Sequence, residues 1–375
     1  MEYRNMGKLG IQTSLLGFGC MRFPKHKDGS IDKVKSEQMI DTAYKNGVNY
    51  FDTAYNYHDG ASESFIGEAL DKYDRNSYFL ATKLPQWLVK SVDDAERIFK
   101  EQLDRLHKEY VDFYLIHAIG RESFDRMVSL GILEFLDRLK AEGKIRYIGF
   151  SFHDGYDAFE HILKFRDWDF CQIQLNYIDT ENQAGMKGYE LTEKLNVPLI
   201  IMEPVKGGSL AKLPESAAKH FNKIAPDKSM ASWALRYVAS LPNVKLVLSG
   251  MTTELQVSDN LDTFNDFKEL NEVEQKAVQA AVEVLKKGVK NGCTSCSYCM
   301  PCPAGVDIPG NFRIWNSHGM YNNVEETKWL WSNDIDVKAK ANNCIECGQC
   351  ETLCPQKISI RNDLKQLQTE LDLIM

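Results

Sequence analysis

The sequence predicts an α/β protein, with a (β/α)8 barrel over residues 1–285 and a small C-terminal domain over residues 286–375. Eight short apolar segments alternate with helical patterns, which is typical of parallel βαβ units. The chain has 375 residues, enough for a barrel of about 250 residues with an appendage. The composition changes abruptly near Asn291 and Gly292, and most of the ten cysteines lie beyond this point.

The predicted elements follow one another in a regular order. Residues 1–13 form a predicted β-hairpin that turns near residues 8–10. Strands are predicted over residues 14–19, 50–52, 79–83, 111–117, 145–151, 170–174, 197–202 and 244–248. Helices are predicted over residues 35–46, 62–73 and 93–106, in a segment ending near 143, and over 156–165, 189–195, 228–240, 254–264 and 267–289. Eight such βα units close naturally into a barrel.

Four polar side chains lie at or just beyond the C-terminal ends of three predicted strands. Asp52 ends the second strand and Tyr57 lies on the loop after it, while Lys83 ends the third strand and His117 the fourth. Strand ends and βα loops at one face of a barrel form its active site, so these side chains are expected to share a pocket. Each alone has an ordinary interpretation, such as a helix cap or a core histidine. Their order and spacing favour a joint role.

This order, with the tyrosine five residues after the aspartate, resembles the catalytic tetrad of the aldo-keto reductase family. The resemblance covers roughly the first 270 residues. It implies an NAD(P)H-dependent oxidoreductase that reduces the carbonyl of a small-molecule substrate to an alcohol. Tyr57 would donate the proton, Lys83 would lower its pKa while held by Asp52, and His117 would orient the substrate oxygen. Tyr55 is a rival proton donor, but the five-residue step favours Tyr57.

The same resemblance implies a set of cofactor contacts. Ser151 and Gln174 match positions that bind the nicotinamide carboxamide, whereas Phe152 replaces a usual asparagine and Met202 a usual stacking aromatic. The loop over residues 205–210 matches the pyrophosphate loop, and residues 249–260 match the adenosine-phosphate site. The full implied set is Cys20, Met21, Asp52, Ser151, Gln174, Met202, Val205, Gly207, Gly208, Leu210, Ser249, Gly250, Met251, Thr252, Gln256 and Asn260.

Two of these positions bear on the choice between NADH and NADPH. Many members of the resembled family carry a lysine and an arginine for the 2′-phosphate of NADPH, and these positions hold Gly250 and Gln256 here. Polar side chains can hydrogen-bond a phosphate but cannot neutralise it. The sequence therefore favours NADH or weak discrimination. No Gly-x-Gly-x-x-Gly pattern follows an early strand, so a Rossmann site is not indicated.

The tail carries two runs of four cysteines, namely Cys293, Cys296, Cys299 and Cys302, then Cys344, Cys347, Cys350 and Cys354. The second run matches the bacterial ferredoxin pattern C-x2-C-x2-C-x3-C-P, and the first has one residue fewer before its last cysteine. A ferredoxin-like domain with two [4Fe–4S] clusters is predicted, and two zinc sites are the alternative. The ferredoxin resemblance implies that Cys354 joins the first three cysteines and that Cys302 joins the second three. The insert over residues 311–341 contains Trp315, Trp329 and Trp331, which are expected to pack.

The composition excludes several classes of protein. Hydrophobic residues make up 43% and charged residues 26%, which is ordinary for a globular protein. A net charge of −8 provides no basic surface for nucleic acid. No secretory signal and no membrane span of about 18 apolar residues is seen, so no membrane partner and a cytoplasmic location are expected. In that compartment cysteines favour metal or redox chemistry over disulfides.

Three functional hypotheses remain open at this point. The protein could be a carbonyl reductase, an electron-transfer protein whose clusters serve a redox partner protein, or a barrel enzyme whose clusters are only structural. Nicotinamide moves two electrons as hydride, while an iron–sulfur cluster moves one at a time. The sequence favours none of these three roles over the others, and the loops of a barrel do not identify the substrate of the enzyme.

Overall fold

The computed structural model describes residues 1–375, and a closed barrel of eight parallel strands forms its centre. An antiparallel hairpin of β1 (Tyr3–Asn5) and β2 (Gln12–Ser14) precedes the barrel. The barrel strands are β3 (Leu16–Gly19), β4 (Tyr50–Asp52), β5 (Phe79–Leu84), β6 (Val111–Ile119), β7 (Ile145–Phe152), β8 (Phe170–Gln174), β9 (Leu199–Met202) and β10 (Val244–Gly250). They pair in chain order, and β10 closes onto β3. The predicted (β/α)8, or TIM-barrel, fold is confirmed.

The helices fall between and after these strands. They are α1 (Lys33–Lys45), α2 (Ala61–Leu70), α3 (Val92–Leu106), α4 (Arg121–Ser129), α5 (Ile132–Ala141), α6 (Tyr156–Phe165), α7 (Gly185–Lys194), α8 (Glu215–Asn222), α9 (Met230–Ala239), α10 (Glu254–Asn265), α11 (Glu272–Lys287), α12 (Ile308–Tyr321), α13 (Val324–Asn333), α14 (Gln349–Leu353) and α15 (Ile360–Asp372). None of them is long and apolar enough to cross a lipid bilayer.

Aromatic side chains fill the inside of the barrel. The ring of Phe113 lies 4.9 Å from the rings of both Tyr50 and Phe170, and all three side chains are fully buried. Met6 of the hairpin connection packs into the same cluster. Tyr50 and Phe170 open their strands, so the hairpin closes the N-terminal end of the barrel. The C-terminal strand ends are left for a site.

Two helical predictions needed correction. The segment after β6 forms two helices, because Gly131, with φ of +74°, separates α4 from α5. A left-handed conformation of this kind interrupts an α-helix and favours glycine. Helix α8 was not predicted from the sequence, since it is short and its buried face consists of only Ala217 and Phe221.

The contacts divide the chain into two compact units. Residues 1–207 with 231–271 form the first unit, and residues 208–230 with 272–375 form the second. The domain boundary at residue 285 stays a prediction. The second unit has its own core, in which Trp315 and Trp331 are buried against Leu367. Trp329 is 60% exposed, so the expectation that it packs was wrong. It lies on the opposite side of the helix from the core.

Candidate active site

The predicted tetrad is delivered by three neighbouring strands of the barrel. Asp52 ends β4, while Lys83 and His117 lie near the C-terminal ends of β5 and β6. Tyr57 opens a short 3₁₀ turn, Tyr57–Gly60, in which His58 takes a left-handed conformation with φ of +52°. This turn folds the chain back over the strand ends. The four side chains therefore meet at the C-terminal face, where the active sites of such barrels lie.

Lys83 is the centre of the tetrad. Its Nζ atom lies 2.5 Å from Oδ1 of Asp52, 2.7 Å from the carbonyl oxygen of Thr53 and 3.3 Å from the hydroxyl oxygen of Tyr57. The side chains of Lys83 and Asp52 are 1% and 3% exposed. Burial of this depth makes an ammonium costly unless oxygen atoms surround it. Here three oxygens do so.

Two opposing effects act on the Lys83–Asp52 pair. Burial alone would lower the pKa of Lys83, but Asp52 and Tyr57 outweigh it and the pKa is raised. Burial raises the pKa of Asp52, although Lys83 acts in the opposite direction. The first shift favours an ionised pair and the second a neutral one. We assign carboxylate and ammonium, because the short separation and the three acceptors around Nζ fit a charge-assisted hydrogen bond.

Burial also determines the direction in which the pKa of Tyr57 is shifted. Burial raises the pKa of its phenol, and the nearby Lys83 ammonium lowers it by less, so that the pKa lies above the ordinary value. The sequence had suggested a net lowering by Lys83. That expectation took account of the charge but not of the depth of the site. The phenol is consequently protonated at neutral pH, which is the form that a proton donor requires.

His117 is held neutral by its surroundings. Burial, Lys83 and His153 lower its pKa to about 2. Its Nδ1 atom is buried and has no hydrogen-bond partner. The imidazole ring lies 6.0 Å from the ring of Tyr57 and 5.1 Å from that of Trp87, between centroids. A neutral imidazole here can contact a polar atom of a ligand but cannot act as a strong acid.

Tyr55, the rival phenol, faces away from Lys83. Its hydroxyl donates a hydrogen bond of 3.0 Å to Oε2 of Glu101 on α3. The guanidinium of Arg105 lies 4.2 Å from the centre of its ring. Tyr55 is thus engaged on the outside of the barrel, and Tyr57 is the tyrosine beside Lys83.

A buried polar network behind Lys83 was not foreseen. Nε2 of Gln102, on α3, donates to the carbonyl oxygen of Lys83 at 3.0 Å and to Oε1 of Glu63 at 2.7 Å. Glu63 also accepts a hydrogen bond of 2.6 Å from Thr82, and burial raises the pKa of its carboxyl. These bonds tie the end of β5 to α2 and α3. The only sequence signal was polar residues on the inward faces of two amphipathic helices.

Ser151, Gln174 and Met202, which are expected near the nicotinamide, lie at the ends of strands β7, β8 and β9. The hydroxyl of Ser151 accepts a hydrogen bond of 2.8 Å from the backbone of Ala118, and Nε2 of Gln174 donates to Asp179 at 3.1 Å. Phe152 is fully buried in the core, which accounts for an apolar residue at this position. Met202 is half-buried at the end of β9.

The predicted phosphate loop begins with an ion pair. Nζ of Lys206 lies 2.5 Å from Oδ2 of Asp179, a partner that the sequence did not indicate. Val205 is half-buried beside this lysine, and Gly207 follows it with φ of +64°. Backbone in this conformation leaves N–H groups free to approach an anion. Gly208 and Leu210 belong to the second compact unit.

The end of β10 and the start of α10 form a second polar corner. Nδ2 of Asn260 donates to the hydroxyl of Ser249 at 2.9 Å, and the backbone N–H of Thr252 donates to Oε1 of Gln256 at 2.6 Å. Met251, in the same segment, is buried. None of the side chains that form this corner is cationic.

The two residues after β3 take different positions. Cys20 is fully buried, and its backbone N–H donates to the carbonyl oxygen of Asp52 at 2.8 Å. Met21 is 55% exposed. Cys20 therefore supports the strand end that carries Asp52, and Met21 is accessible above it.

Some of the cysteines of the second unit surround a small cavity. Four of them line it, namely Cys293, Cys296, Cys299 and Cys354, together with Ile308, Pro309 and Phe312. Nowhere do three or more His, Cys, Asp or Glu converge tightly on one point. A four-iron cubane needs four thiolates around a space, each on its own iron, so this donor set fits a cubane.

The first three cysteines of the second run, Cys344, Cys347 and Cys350, also lie near one another. Burial, Glu351 and then Cys344 and Cys347 raise the pKa of Cys350, which reflects their proximity. The backbone N–H of Glu346 donates to Sγ of Cys344 at 3.4 Å. Amide hydrogen bonds to sulfur are characteristic of cluster-binding loops.

Comparison with known proteins decides the family. A profile of the aldo/keto reductase family matches residues 15–283. The chain belongs to the aldo/keto reductase family. A profile of the 4Fe-4S dicluster domain matches residues 292–358, next to the reductase region. This aldo/keto reductase is therefore an oxidoreductase with a cluster-binding tail, as the sequence predicted.

Individual relatives cover the barrel. L-galactose dehydrogenase of Arabidopsis thaliana is 28% identical over 78% of this chain and 96% of its own length. The NADH-specific methylglyoxal reductase of Escherichia coli (strain K12) is 26% identical over 69% of this chain and 90% of its own. The holo form of an aldo-keto reductase from Bacillus halodurans superposes with a TM-score of 0.63, at 26% identity, over 75% of this chain and 96% of the other.

Proposed function

We propose that this aldo/keto reductase reduces a small carbonyl compound to an alcohol with NADH or NADPH, with Tyr57 as the general acid. The observation that carries the proposal is the position of Lys83, whose Nζ atom lies 3.3 Å from the hydroxyl of Tyr57 and 2.5 Å from Asp52. A reduced nicotinamide, when bound, supplies hydride to the carbonyl carbon. The carbonyl oxygen then needs a proton from the protein.

Tyr57 is suited to provide that proton. Burial keeps the phenol protonated in the resting site, and the adjacent ammonium of Lys83 stabilises the phenolate left after transfer. Lys83 keeps its own charge through Asp52, because a lone ammonium at this depth would lose its proton. Asp52 thus stabilises the charge of Lys83, and Lys83 in turn stabilises the phenolate that Tyr57 becomes when it releases its proton.

His117 complements this role without competing for it. With a pKa of about 2 the imidazole carries no proton to give at neutral pH. A neutral ring can still donate one hydrogen bond to the substrate oxygen and fix its direction. Trp87, 43% exposed beside His117, provides an apolar wall for the same substrate.

We further propose that the tail holds two [4Fe–4S] clusters. Cys354 completes the first group of three cysteines, as the cavity shared by these four residues supports. Cys302 completes the second group. Bound clusters exchange one electron at a time. The chain contributes eight thiolates on a small apolar core, so cluster binding also stabilises this unit.

A second candidate function is electron exchange with a redox partner protein. Cys296 and Cys347, one ligand from each run, are exposed. A partner that approached either residue would come near a cluster without crossing the core. This observation favours a redox role over a purely structural one.

One anaerobic experiment separates these functions. The protein is titrated with NADH or NADPH, cluster EPR is recorded, and a panel of aldehydes and ketones is assayed in parallel. Carbonyl turnover supports the reductase, whether or not the clusters change. Cluster reduction without turnover would instead support electron transfer as the main activity.

A further inference from the structure

Arg22, on the loop after β3, has a side chain that no part of the protein pairs with. Its guanidinium makes no hydrogen bond and no ion pair within the chain, and the residue is exposed. Lys206, the other cation near the phosphate loop, is neutralised by Asp179 at 2.5 Å. Arg22 is therefore the available positive charge at this edge of the barrel.

Two glycines make room for this arginine. A Cβ atom placed on Gly250 would lie 2.7 Å from Cγ of Arg22, so the stem of the side chain packs directly on that glycine. A Cβ atom on Gly207 would lie 3.7 Å from Nη2 of Arg22, which brings the guanidinium beside the phosphate loop. The arginine thus reaches from the first barrel strand across the last one to the loop after β9.

The backbone around Arg22 is fixed on three sides. The N–H of Cys20 donates to Asp52, the carbonyl oxygen of Arg22 accepts 3.0 Å from the hydroxyl of Thr252, and the N–H of Phe23 donates 3.2 Å to Nε2 of His58. His58 follows the proposed acid Tyr57 directly. A loop anchored in this way directs its side chain and lowers the ordering cost when a ligand binds.

We propose that Arg22 binds the pyrophosphate of the nicotinamide dinucleotide. This inference rests on the proposed function and adds a cofactor ligand to it. A guanidinium recognises phosphate oxygens through a planar pair of N–H donors, which a lysine cannot reproduce. The pyrophosphate is the chosen group because the guanidinium lies beside Gly207, whereas only the apolar stem contacts Gly250. Arg22 should therefore contribute equally to the affinity for NADH and the affinity for NADPH.

The test measures equilibrium dissociation constants for NADH, NADPH and ADP-ribose at fixed salt under anaerobic conditions. Arg22→Gln should weaken all three about tenfold, because each contains the pyrophosphate. Arg22→Lys should lose part of that affinity. Lys27→Gln is the matched control, since Lys27 is exposed on the same loop and touches neither glycine. Urea midpoints of the variants verify that they fold.

Three results would overturn the inference, and they are distinguishable. Unchanged binding of all three ligands to Arg22→Gln would exclude Arg22 as a cofactor ligand without contradicting the proposed reductase function. A loss confined to NADPH would assign Arg22 to the 2′-phosphate instead. A wild-type protein that bound none of the three would contradict the proposed function itself.

Discussion

The Nζ atom of Lys83 lies 3.3 Å from the hydroxyl oxygen of Tyr57 and 4.8 Å from the centre of its ring. The ammonium is therefore close enough to stabilise a phenolate, while the depth of the site keeps the phenol protonated at rest. A phenol that is hard to ionise and a charge that eases its ionisation fit a residue that releases a proton only during the reaction.

The first prediction concerns pH. The pKa of Tyr57 is raised, so kcat/KM should stay level through neutral pH and fall only as the phenol ionises, above about pH 10. His117, with a pKa of about 2, should produce no break near neutrality. Stopped-flow or steady-state rates from about pH 6 to pH 10.5 provide the check. A descending limb centred near the ordinary histidine pKa would assign the proton to His117.

The second prediction concerns the buried ion pair. Lys83→Met leaves the Asp52 carboxylate buried without its cation, which should lower the free energy of unfolding by about 3–5 kcal/mol. Adding Asp52→Asn should recover part of that loss, because the uncompensated charge is gone. Urea denaturation of the three proteins measures the coupling. A double variant less stable than Lys83→Met would argue against an ionised pair.

The third prediction concerns the clusters. Anaerobic protein should contain about eight iron and eight sulfide atoms per chain. Cys354→Ser should deplete the cluster of the first cysteine run, and Cys302→Ser that of the second run. Cys171→Ala, in the barrel, is the control and should retain all of the iron. Stoichiometric zinc in place of iron would reject the clusters altogether.

The fourth prediction concerns cofactor choice. NADH should be used as well as NADPH or better, because the corner formed by Ser249, Thr252 and Gln256 carries no positive charge of its own. Ratios of kcat/KM at fixed salt measure this preference. A clear NADPH preference would mean that a cation reaches the 2′-phosphate, and Arg22 and Lys206 would be the first residues to replace.

Much of the barrel could be predicted because it depends on local pattern. Each strand is a short apolar run, and β4 and β8 have the predicted bounds, since the polar residues at their ends limit them. The break at Gly131 was missed because an isolated glycine within a helical pattern is usually tolerated. The position of Arg22 could not be predicted, because its side chain packs on Gly250. Gly250 lies on the last barrel strand, far from Arg22 in sequence, and the two meet only because β10 pairs with β3.

The candidate site also has features that the sequence predicted and features that it did not. Sequence order indicated the tetrad, but not the direction of the Tyr57 pKa, which depends on burial in three dimensions. Nor did it indicate the contacts of Gln102 and Glu63 behind Lys83. The sequence of a helix does not show which partners its polar side chains will hydrogen-bond. Spacing indicated the two runs of cysteines, since a metal-binding loop encodes its geometry in consecutive residues. The assignment of Cys302 to the second cluster stays a prediction from the ferredoxin resemblance.

The central claim is that Tyr57 delivers the proton, and Tyr57→Phe tests it most directly. The exchange removes one hydroxyl, and loss of a general acid typically costs 10²–10⁴-fold in rate. We expect a loss of that size in kcat for carbonyl reduction, with the dissociation constant for NADH close to unchanged. Tyr55→Phe is the matched control and should keep wild-type turnover, since Tyr55 bonds Glu101 outside the site. Wild-type turnover by Tyr57→Phe, with Tyr55→Phe inactive, would contradict the account.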